Sequence, residues 1–308
     1  MQTAPLCPLT GLPAVRQIQR VSTRFIIGLW RATFGVATER QLAGIDHFAL
    51  WESPCGLAFF DPMLAGDEVF YLELHRRGDF ARILSAPRFA RTEFRRIAEL
   101  ARPGDKVLDV GCDEGALAPY LPHATYVGLD PHASAPAAAP DIRNEPPSRH
   151  AALHPAEYDV VCACHVIEHV PDPMDFARSL VQCMKPGGRL CIVVPHRASA
   201  ITEIPNFVLN APPHHLSWWS EEALQTLARR LDLVSEALEP VPFSFDSLIY
   251  WMGRFAPKLT GERYFRAHWT WHAALAWSWV VGRACDTLLR LPASARPSGL
   301  MLIARKPS

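Results

Sequence analysis

Two glycines and an acid near the middle of the chain have the spacing of a nucleotide-binding turn. The stretch VLDVGCDEGALAPYL (107–121) joins an apolar run to Gly111, Gly115 and a helix-like segment. Glycine has no Cβ, so the backbone can approach a ligand closely. About 20 residues later Asp130 ends the stretch TYVGLD, and an acid at the tip of the second strand can accept both ribose hydroxyls. This pairing predicts a ligand that contains adenosine.

The turn reads G-C-D-E-G, and its acids discriminate between adenosine ligands. A dinucleotide loop, G-x-G-x-x-G, presents backbone amides to a pyrophosphate. Asp113 would place a carboxylate near that diphosphate and repel it. S-adenosylmethionine has no phosphate and carries a positive sulfonium, so it tolerates the carboxylate. The turn therefore favours S-adenosylmethionine over NAD as the cofactor.

Histidines that follow two later apolar runs are candidates for acid–base chemistry. His165 and His169 in HVIEH are four residues apart, but the Glu is misplaced for the zinc-protease pattern H-E-x-x-H. His196 follows RLCIVVP, and His214 and His215 lie in NAPPHHLSWWS. Imidazole suits proton transfer near neutral pH. We predict His215, His169 and His196 as catalytic residues and expect no metal; hydrogen bonding to backbone is the alternative role.

The elements that must position these residues follow from periodicity. VLDVG, TYVGLD, YDVVCACHV and RLCIVVP are short apolar runs separated by helix-compatible stretches such as GALAPYL and DPMDFARSLVQCMK. Strands that alternate with helices imply a parallel sheet covered on both faces. We expect an α/β fold, a doubly wound, Rossmann-like, mostly parallel seven-stranded sheet. Helices are predicted over 79–101 and, with Ser220 as N-cap, over 220–231. LVSEALEPV and GLMLIARK are predicted as late strands.

The N-terminal segment, 1–75, is predicted as an extension of the main domain, 76–308. It contains CPLTG and ESPCGLAFFDP, which echo a zinc ribbon, but only Cys7 and Cys55 remain of the four ligands. Two thiolates do not complete a structural zinc site. We therefore predict a degenerate zinc-ribbon-like segment that keeps its shape without metal, with the two cysteines close together.

Residues 243–292 are predicted as an aromatic helical insertion before the last strand. Five tryptophans lie in it: Trp251, Trp269, Trp271, Trp277 and Trp279. Tryptophan favours interfaces between apolar and aqueous surroundings. Three interpretations stay open: a lid over the core, a pocket for a hydrophobic or lipid-linked substrate, and a patch that contacts a membrane surface.

Composition limits the class of protein and its compartment. The 308 residues are 49% hydrophobic and 20% charged, with zero formal net charge. This balance gives no sign of a nucleic-acid partner. Eight cysteines lie mostly in apolar runs, as small buried hydrophobes rather than as a disulfide framework. No signal peptide is evident, so we expect a cytoplasmic protein.

Four blocks, in this order and spacing, resemble the class I S-adenosylmethionine-dependent methyltransferases: VLDVGCDEG, TYVGLD, YDVVCACHVIEHVPDP and LVQCMKPGGRLCIVVP. The resemblance covers roughly residues 90–240 and the last strand. It is closest to the ubiquinone-type and the sugar or polyketide methyltransferases, which carry EH-V-x-D-P after the fourth strand. It implies these cofactor-binding residues: Asp109, Gly111, Cys112, Gly115, Asp130, Asp141, Cys164 and His165.

The resemblance also assigns roles to these residues. Asp109 and the two glycines shape the methionine pocket, and Asp130 holds the ribose. Asp141 contacts the adenine amine, while Cys164 and His165 line the methionine part of the cofactor. In the family a histidine precedes an aromatic pair and a Ser- or Thr-capped helix, and His215 matches it. The family usually has glycine where Asp113 stands.

We therefore expect methyl transfer to a small molecule, most simply O-methylation of a sugar, polyketide-like or lipid-linked metabolite. One alternative is a magnesium-assisted quinone-type O-methyltransferase, since some relatives carry E-x-x-E-H where this chain has H-x-x-E-H. Another is a catalytically silent cofactor-binding protein with a regulatory or scaffold role. The chain has no N-P-P-Y-like tetrapeptide, so a nucleic-acid substrate is not expected. The sequence does not indicate the oligomeric state.

Overall fold

The computed structural model describes residues 3–77, 91–131, 141–243, 245–258 and 263–308. The strands in this part of the chain are β1 (Arg16–Ser22), β2 (His47–Glu52), β3 (Ala58–Asp61), β4 (Lys106–Val110), β5 (Thr125–Leu129), β6 (Ile142–Arg143), β7 (Tyr158–Cys164), β8 (Met184–Pro195), β9 (Ser217–Trp218), β10 (Val234–Val241) and β11 (Gly299–Arg305). The α-helices are α1 (Thr23–Phe34), α2 (Glu68–Arg77), α3 (Thr92–Leu100), α4 (Pro147–Leu153), α5 (Pro173–Cys183), α6 (Glu221–Arg230), α7 (Asp246–Phe255) and α8 (Trp269–Leu288).

The main sheet has seven strands in the order β10-β11-β8-β7-β4-β5-β6. Strands β4 to β8 pair in parallel, while β11 is antiparallel to both of its neighbours. The chain adds β5 and β6 on one side of β4, then β7 and β8 on the other. In such sheets ligands bind beyond the carboxyl ends of the strands at this reversal. The predicted mostly parallel, doubly wound sheet is confirmed.

The late elements also match their predictions. Helix α6 begins at its predicted cap, since the Ser220 Oγ accepts the Ala223 N–H at 3.1 Å. Acids in its first turn and arginines in its last complement the helix dipole. Strands β10 and β11 pair side by side, and the predicted helical insertion between them consists of α7 and α8.

The two insertion helices pack closely because of one glycine. A Cβ on Gly282 of α8 would lie 2.8 Å from the Met252 Cγ of α7, so a larger residue would push the helices apart. The opposite side of α8 faces solvent, with Trp269 and Trp277 exposed. None of the described helices combines the length and the apolar character that crossing a membrane requires.

A second sheet joins the N-terminal segment to the main domain. Its order is β1-β2-β3-β9, and β9 comes from the segment directly after the histidine pair His214-His215. Trp30 of α1 is fully buried, and its indole N–H donates to the Pro212 carbonyl at 2.8 Å. The N-terminal segment therefore supports the loop that carries these histidines.

The N-terminal thiols lie together inside the protein. The Sγ atoms of Cys7 and Cys55 are 3.8 Å apart, and the Ser53 hydroxyl lies 3.1 Å from the Cys55 Sγ. The hydrogen bond from Cys55 lowers the pKa of Cys7 to about 5, against the effect of burial. This segment also contains the helix α1, which the sequence analysis did not predict.

One predicted helix is absent and another is described only in part. The segment after Gly115 forms turns and a short 3-10 helix, Ala118–Tyr120, instead of an α-helix. Pro119 and Pro122 provide no backbone N–H for helical hydrogen bonds, which explains the difference. Of the helix predicted over 79–101, α3 forms the last part, and residues 78–90 lie outside the described residues.

Candidate active site

Gly111 turns the chain at the carboxyl end of β4. Its φ of 74° lies in the left-handed region that favours glycine. A Cβ at this position would lie 2.3 Å from the Val166 Cγ2, just after β7. The Gly111 N–H donates to the Leu129 carbonyl of β5 at 2.7 Å. The turn is thus pinned between two neighbouring strand ends, and a side chain has no room there.

Asp113 occupies a position where the family usually has glycine. Its backbone conformation explains why glycine is usual there. Its φ is 49°, a left-handed conformation that Asp and Asn adopt more readily than most residues. The residue is exposed, while its backbone N–H donates to the Asp130 Oδ2 at 3.0 Å. The N–H therefore orients the carboxylate of Asp130 at the edge of the turn, where ribose hydroxyls are expected.

Asp109 is buried beneath this turn. Its carboxyl accepts the Tyr126 hydroxyl at 2.9 Å, and the Cys162 thiol lies 3.6 Å from its other oxygen. Burial raises the pKa of Asp109 to about 6, while the positive charge of Arg91 opposes that shift. Asp109 is therefore a structural support of the methionine side of the turn. Arg91, just before α3, is a nearby cation that the sequence did not single out.

The other predicted cofactor residues lie around the same edge. Cys112 packs against β5, since a Cβ on Gly128 would lie 2.6 Å from its Sγ. Asp141 pairs with Arg143 at 3.0 Å and is about half exposed; it directly follows residues 132–140, which lie outside the described residues. Cys164 ends β7, and burial raises its pKa. The next residue, His165, belongs to the polar residues that follow β7.

The edge fits a sulfonium nucleoside better than a dinucleotide. Between residues 109 and 115 the chain carries three acids and no basic residue. Such a turn would repel a diphosphate and suit a cation. The oriented carboxylate of Asp130 is the predicted acceptor for the ribose hydroxyls. The nearby Arg91 pairs with Glu93 at 2.7 Å. The residues present thus fit S-adenosylmethionine.

The second group of polar residues begins at the end of β7. His165 has a φ of 60°, and its Nδ1 lies 3.6 Å from the Glu168 Oε1. Glu168 is only 1% exposed and lies in the 3-10 helix Ile167–His169. Because Val166 packs on Gly111, this group begins directly beside the glycine turn.

We call His169, His214 and His215 the histidine cluster. One ring nitrogen from each lies within 4.8 Å of the others. Two hydrogen bonds join the distant segments: the Leu216 N–H donates to the Glu168 carbonyl at 2.8 Å, and the His169 Nδ1 lies 2.8 Å from the His214 carbonyl. The rings of His214 and His215 stack, with centroids 4.7 Å apart. Folding therefore unites two of the predicted histidines with His214.

His215 is held as a neutral imidazole. Its Nδ1 lies 3.2 Å from the Asn210 Oδ1, and the Asn210 amide nitrogen donates to the Ile201 carbonyl at 2.9 Å. This second bond fixes the amide so that its oxygen faces His215, which must then donate from Nδ1. Burial, aided by His169, lowers the pKa of His215 to about 3. The Nε2 atom consequently keeps a lone pair at neutral pH.

His196 lies outside the cluster. It follows β8, and its backbone N–H donates to the Ser298 carbonyl at 2.7 Å. Its side chain and that of His215 line a small cavity of about 10 Å³, together with Asn210 and Trp218. Burial lowers the pKa of His196. The cavity has room for roughly one water molecule.

Sequence reasoning missed Asn210 and Tyr71 as well as Arg91. Tyr71, from α2, has its ring centroid 6.2 Å from His169 and 5.9 Å from His214. Its hydroxyl is buried and has no hydrogen-bond partner among the described residues. Asn210 gave a weak signal, as a polar residue in an apolar stretch close to His215. Tyr71 gave none, because only the fold brings α2 to the cluster.

A family model matches about half of this chain, and known proteins match parts of it. Residues 80–238 match the family model described as a methyltransferase domain. Ubiquinone biosynthesis O-methyltransferases of Escherichia coli O139:H28 and Shigella boydii serotype 18 are each 41% identical over 97 residues, 28% of this chain. The chain spans only 40% of the length of these curated relatives.

Solved structures with a similar arrangement include methyltransferases at low sequence identity. The S-adenosylmethionine-dependent methyltransferase from Archaeoglobus fulgidus covers 78% of this chain and 100% of its own, with a TM-score of 0.47 and 16% identity. The Burkholderia thailandensis 1,6-didemethyltoxoflavin-N1-methyltransferase, with bound S-adenosylhomocysteine, covers 85% of this chain and 96% of its own, with a TM-score of 0.47 and 14% identity.

Proposed function

The chain belongs to the class I S-adenosylmethionine-dependent methyltransferases, and we propose that it methylates an oxygen atom of a small-molecule acceptor. The observation that carries the proposal is the state of His215, a buried neutral imidazole whose Nδ1 is engaged and whose Nε2 is a base. It lies in a cluster that begins beside the glycine turn. Oxygen acceptors need such a base more than amines do, because a hydroxyl must lose its proton.

The cofactor supplies an activated methyl group on sulfur, so the protein mainly positions the acceptor and excludes water. A carbon–oxygen bond forms as the carbon–sulfur bond breaks, and the hydroxyl proton passes to the His215 Nε2. Asn210 holds the ring in the tautomer that this requires. The buried carboxylate of Glu168 lies close enough to favour the imidazolium that results.

The other two predicted histidines, His169 and His196, have different roles in this proposal. His169 has its Nδ1 against the His214 carbonyl, and its Nε2 lies 3.9 Å from the Glu168 Oε1. It therefore orients Glu168 and the loop rather than reaching the acceptor first. His196 faces the small cavity shared with His215, where a water molecule could carry the proton onward.

The magnesium-assisted quinone-type alternative has support from one finding, the local 41% identity to ubiquinone biosynthesis O-methyltransferases. Against it, the polar residues around Glu168 are mostly imidazoles, and magnesium prefers an octahedral shell of oxygen atoms. The donor set therefore favours a histidine base over a magnesium ion. Quinols belong in any acceptor screen nonetheless, because the likeness includes a relative named for ubiquinone biosynthesis.

Helix α8 has an exposed apolar surface, which we propose contacts a membrane surface or the lipid part of an acceptor. Six residues at helical spacing form one exposed stripe: Trp269, Ala273, Trp277, Val280, Ala284 and Leu288. Trp269 and Trp277 are 70% and 64% exposed. Amphipathic helices with exposed tryptophans bind the headgroup region of bilayers, and Arg283, which is also exposed, would suit anionic lipids.

Vesicle flotation tests this surface. The double variant Trp269→Ser/Trp277→Ser is expected to lose binding to phosphatidylglycerol-containing vesicles several-fold relative to wild type. The matched control is Leu153→Ser, which removes an equally exposed apolar side chain far from the stripe. Equal flotation of both variants, or concentration-dependent self-association abolished by the double variant, contradicts membrane contact.

A radiolabel assay tests the methyl transfer itself. Purified protein is incubated with tritiated-methyl S-adenosylmethionine and matched acceptors that carry a hydroxyl or an amine on sugar, polyketide, quinol and isoprenoid-linked scaffolds. The proposal expects label on oxygen, with calorimetry showing cofactor binding. Binding without transfer to any acceptor, cell extract included, supports the cofactor-binding scaffold instead, and transfer restricted to amines contradicts the assignment of oxygen.

The state of the cysteines favours a reducing compartment for this reaction. All eight cysteines are unpaired, and six of them are buried. This usage suits the reducing cytosol, which we propose as the location of the enzyme.

A further inference from the structure

Three buried side chains of the candidate site, those of Tyr71, Glu168 and His214, have polar atoms with no hydrogen-bond partner among the described residues. Glu168 is only 1% exposed, and its Oε1 lies 3.6 Å from the His165 Nδ1 and 3.9 Å from the His169 Nε2, beyond hydrogen-bond distance. The Nδ1 atom of His214 is likewise buried and unpartnered. Buried polar groups are nearly always paired in folded proteins, and a buried carboxylate without a partner is especially costly. These atoms are therefore available to bind a ligand.

The nitrogen atoms of the cluster show what kind of ligand this is. The Nδ1 of His169 faces a carbonyl, and the Nδ1 of His215 faces an amide oxygen. Both rings must donate from Nδ1, which leaves a lone pair on each Nε2. An imidazole whose distal N–H is held by a carbonyl or amide oxygen is the usual state of a metal-binding histidine. With the unpartnered nitrogen of His214, each ring of the cluster offers one donor.

The spacing of these donors suits a single ion. One nitrogen from each ring lies within 4.8 Å of the others, and the Glu168 Oε1 is 3.9 Å from the His169 Nε2. Zinc bonds of about 2.1 Å in a tetrahedral site require donors roughly 3.4 Å apart. Small rotations of the rings, of about 1 Å at the nitrogen atoms, would close that gap.

We infer that His169, His214, His215 and Glu168 form a binding site for a divalent transition-metal ion of the zinc, cobalt or iron(II) class. Three imidazoles and one carboxylate are borderline donors that such ions prefer, whereas magnesium and calcium prefer oxygen. The sequence analysis expected no metal, so this inference departs from it. Two of the four ligands lie outside the HVIEH segment, so the site differs from one built on that segment alone.

The role of the ion rests on the proposed function, but its binding does not. A metal-bound acceptor hydroxyl loses its proton more readily. An ion held by these four residues would supply Lewis-acid activation of an acceptor hydroxyl, whose proton would pass to solvent water. His215 then acts as a ligand instead of as the base, since one lone pair cannot do both. Tyr71 lies beside His169 and His214 and is placed to contact the ligands from α2.

Metal binding is measured on the full chain, purified with a non-histidine tag. Elemental analysis of protein exchanged into zinc is expected to find one ion per chain, and cobalt(II) substitution is expected to give the intense visible bands of a tetrahedral site. His214→Gln is the diagnostic variant, because His214 is a ligand in this inference and has no part in the proposed base mechanism. It is expected to weaken zinc binding about a hundredfold. His268→Asn, at the exposed start of α8, is the matched control.

A thermal-shift series on wild-type protein keeps the test valid even if His214→Gln does not fold. Zinc is expected to raise the melting temperature of chelator-treated wild type and of the control. The inference is overturned if wild-type protein retains no zinc and its melting temperature does not change with zinc. Cobalt spectra typical of the hydrated ion would overturn it too. Neither result affects the proposed methyl transfer. A metal-bound protein that transfers no methyl group would instead refute the proposed function and leave the metal site standing.

Discussion

The cofactor edge and the histidine cluster are adjacent, yet they are built in opposite ways. The edge consists of one strand–turn–strand unit, in which the Gly111 N–H donates to the Leu129 carbonyl and the Asp113 N–H to the Asp130 carboxylate. The cluster joins the segment after β7 to a loop about 45 residues later, and α1 and α2 pack around it. The first depends on backbone conformation, whereas the second depends on side chains that only the fold brings together.

The difference predicts how each region responds to change. Because the cofactor edge shapes a binding surface, its variants should alter cofactor affinity or the stability of the turn. Because the cluster supplies proton acceptance or metal ligands, its variants should alter turnover with little effect on cofactor affinity. If variants of the cluster also weakened cofactor binding, the two regions would act as one unit.

The largest effect is expected at the base of the cluster. His215→Asn should lower turnover by about a hundredfold or more, the usual contribution of a general base, because a neutral amide is too weak a base to take the hydroxyl proton. The cofactor Kd from calorimetry should stay within about twofold. His268→Asn, outside the cluster, should leave both values unchanged. Turnover that survives the His215 change would remove His215 from the mechanism.

The next largest effect is expected at the glycine turn. Gly111→Ala should destabilise the protein by about 2–4 kcal/mol in urea unfolding, since a left-handed φ and a contact with Val166 both oppose a Cβ. Gly104→Ala is a matched control, because Gly104 has a φ of +87° but nothing within 4 Å of its Cβ position. Equal losses for the two variants would mean that the contact with Val166 contributes nothing.

Asp130 should show a smaller effect, confined to cofactor affinity. Asp130→Ala should weaken S-adenosylmethionine binding more than tenfold, or about 1.4 kcal/mol, because the ribose acceptor is lost. Asp141→Ala, whose carboxylate pairs with Arg143, is expected to weaken binding less. Calorimetry measures both, and unchanged affinity for Asp130→Ala would contradict the placement of the ribose at the tip of β5.

The smallest effect concerns the pH dependence of stability at Asp109. Its pKa rises from 3.8 in the unfolded chain to about 6 in the folded protein, so the folded state binds the extra proton within this window. Stability should therefore fall as pH rises through about 6, by about 1 kcal/mol between about pH 5 and pH 8.

Asp109→Asn should abolish that slope, since the amide oxygen can still accept the Tyr126 hydroxyl and no carboxylate remains to ionise. Urea unfolding at the two pH values measures the difference. A wild-type stability that is flat or rises over this range, once the variant is subtracted, would contradict a buried carboxyl with a raised pKa.

How far the sequence predicted the molecule depended on the distance between interacting residues. Six of the seven strands of the main sheet, the cap at Ser220 and the insertion before β11 were predicted correctly, because periodicity and capping are local properties. The two-residue strand β6 was not predicted. The helix after Gly115 was wrong, since two prolines override a helix-like apolar pattern. Asp113 stands where the family usually has glycine, and its positive φ explains why glycine is usual there.

The sequence by itself determined most of the sheet and the cofactor, because each is encoded within short stretches of backbone. It also predicts that Asp130 holds the ribose. Tertiary structure alone decided that His214 and His215 meet His169, that Asn210 sets a tautomer, and that Tyr71 joins them. It also decided that the Glu168 carboxylate is buried beside His165 and His169, with no hydrogen-bond partner among the described residues. Such facts depend on packing between segments that are far apart in the chain, and no local pattern records which polar atoms burial leaves unpaired.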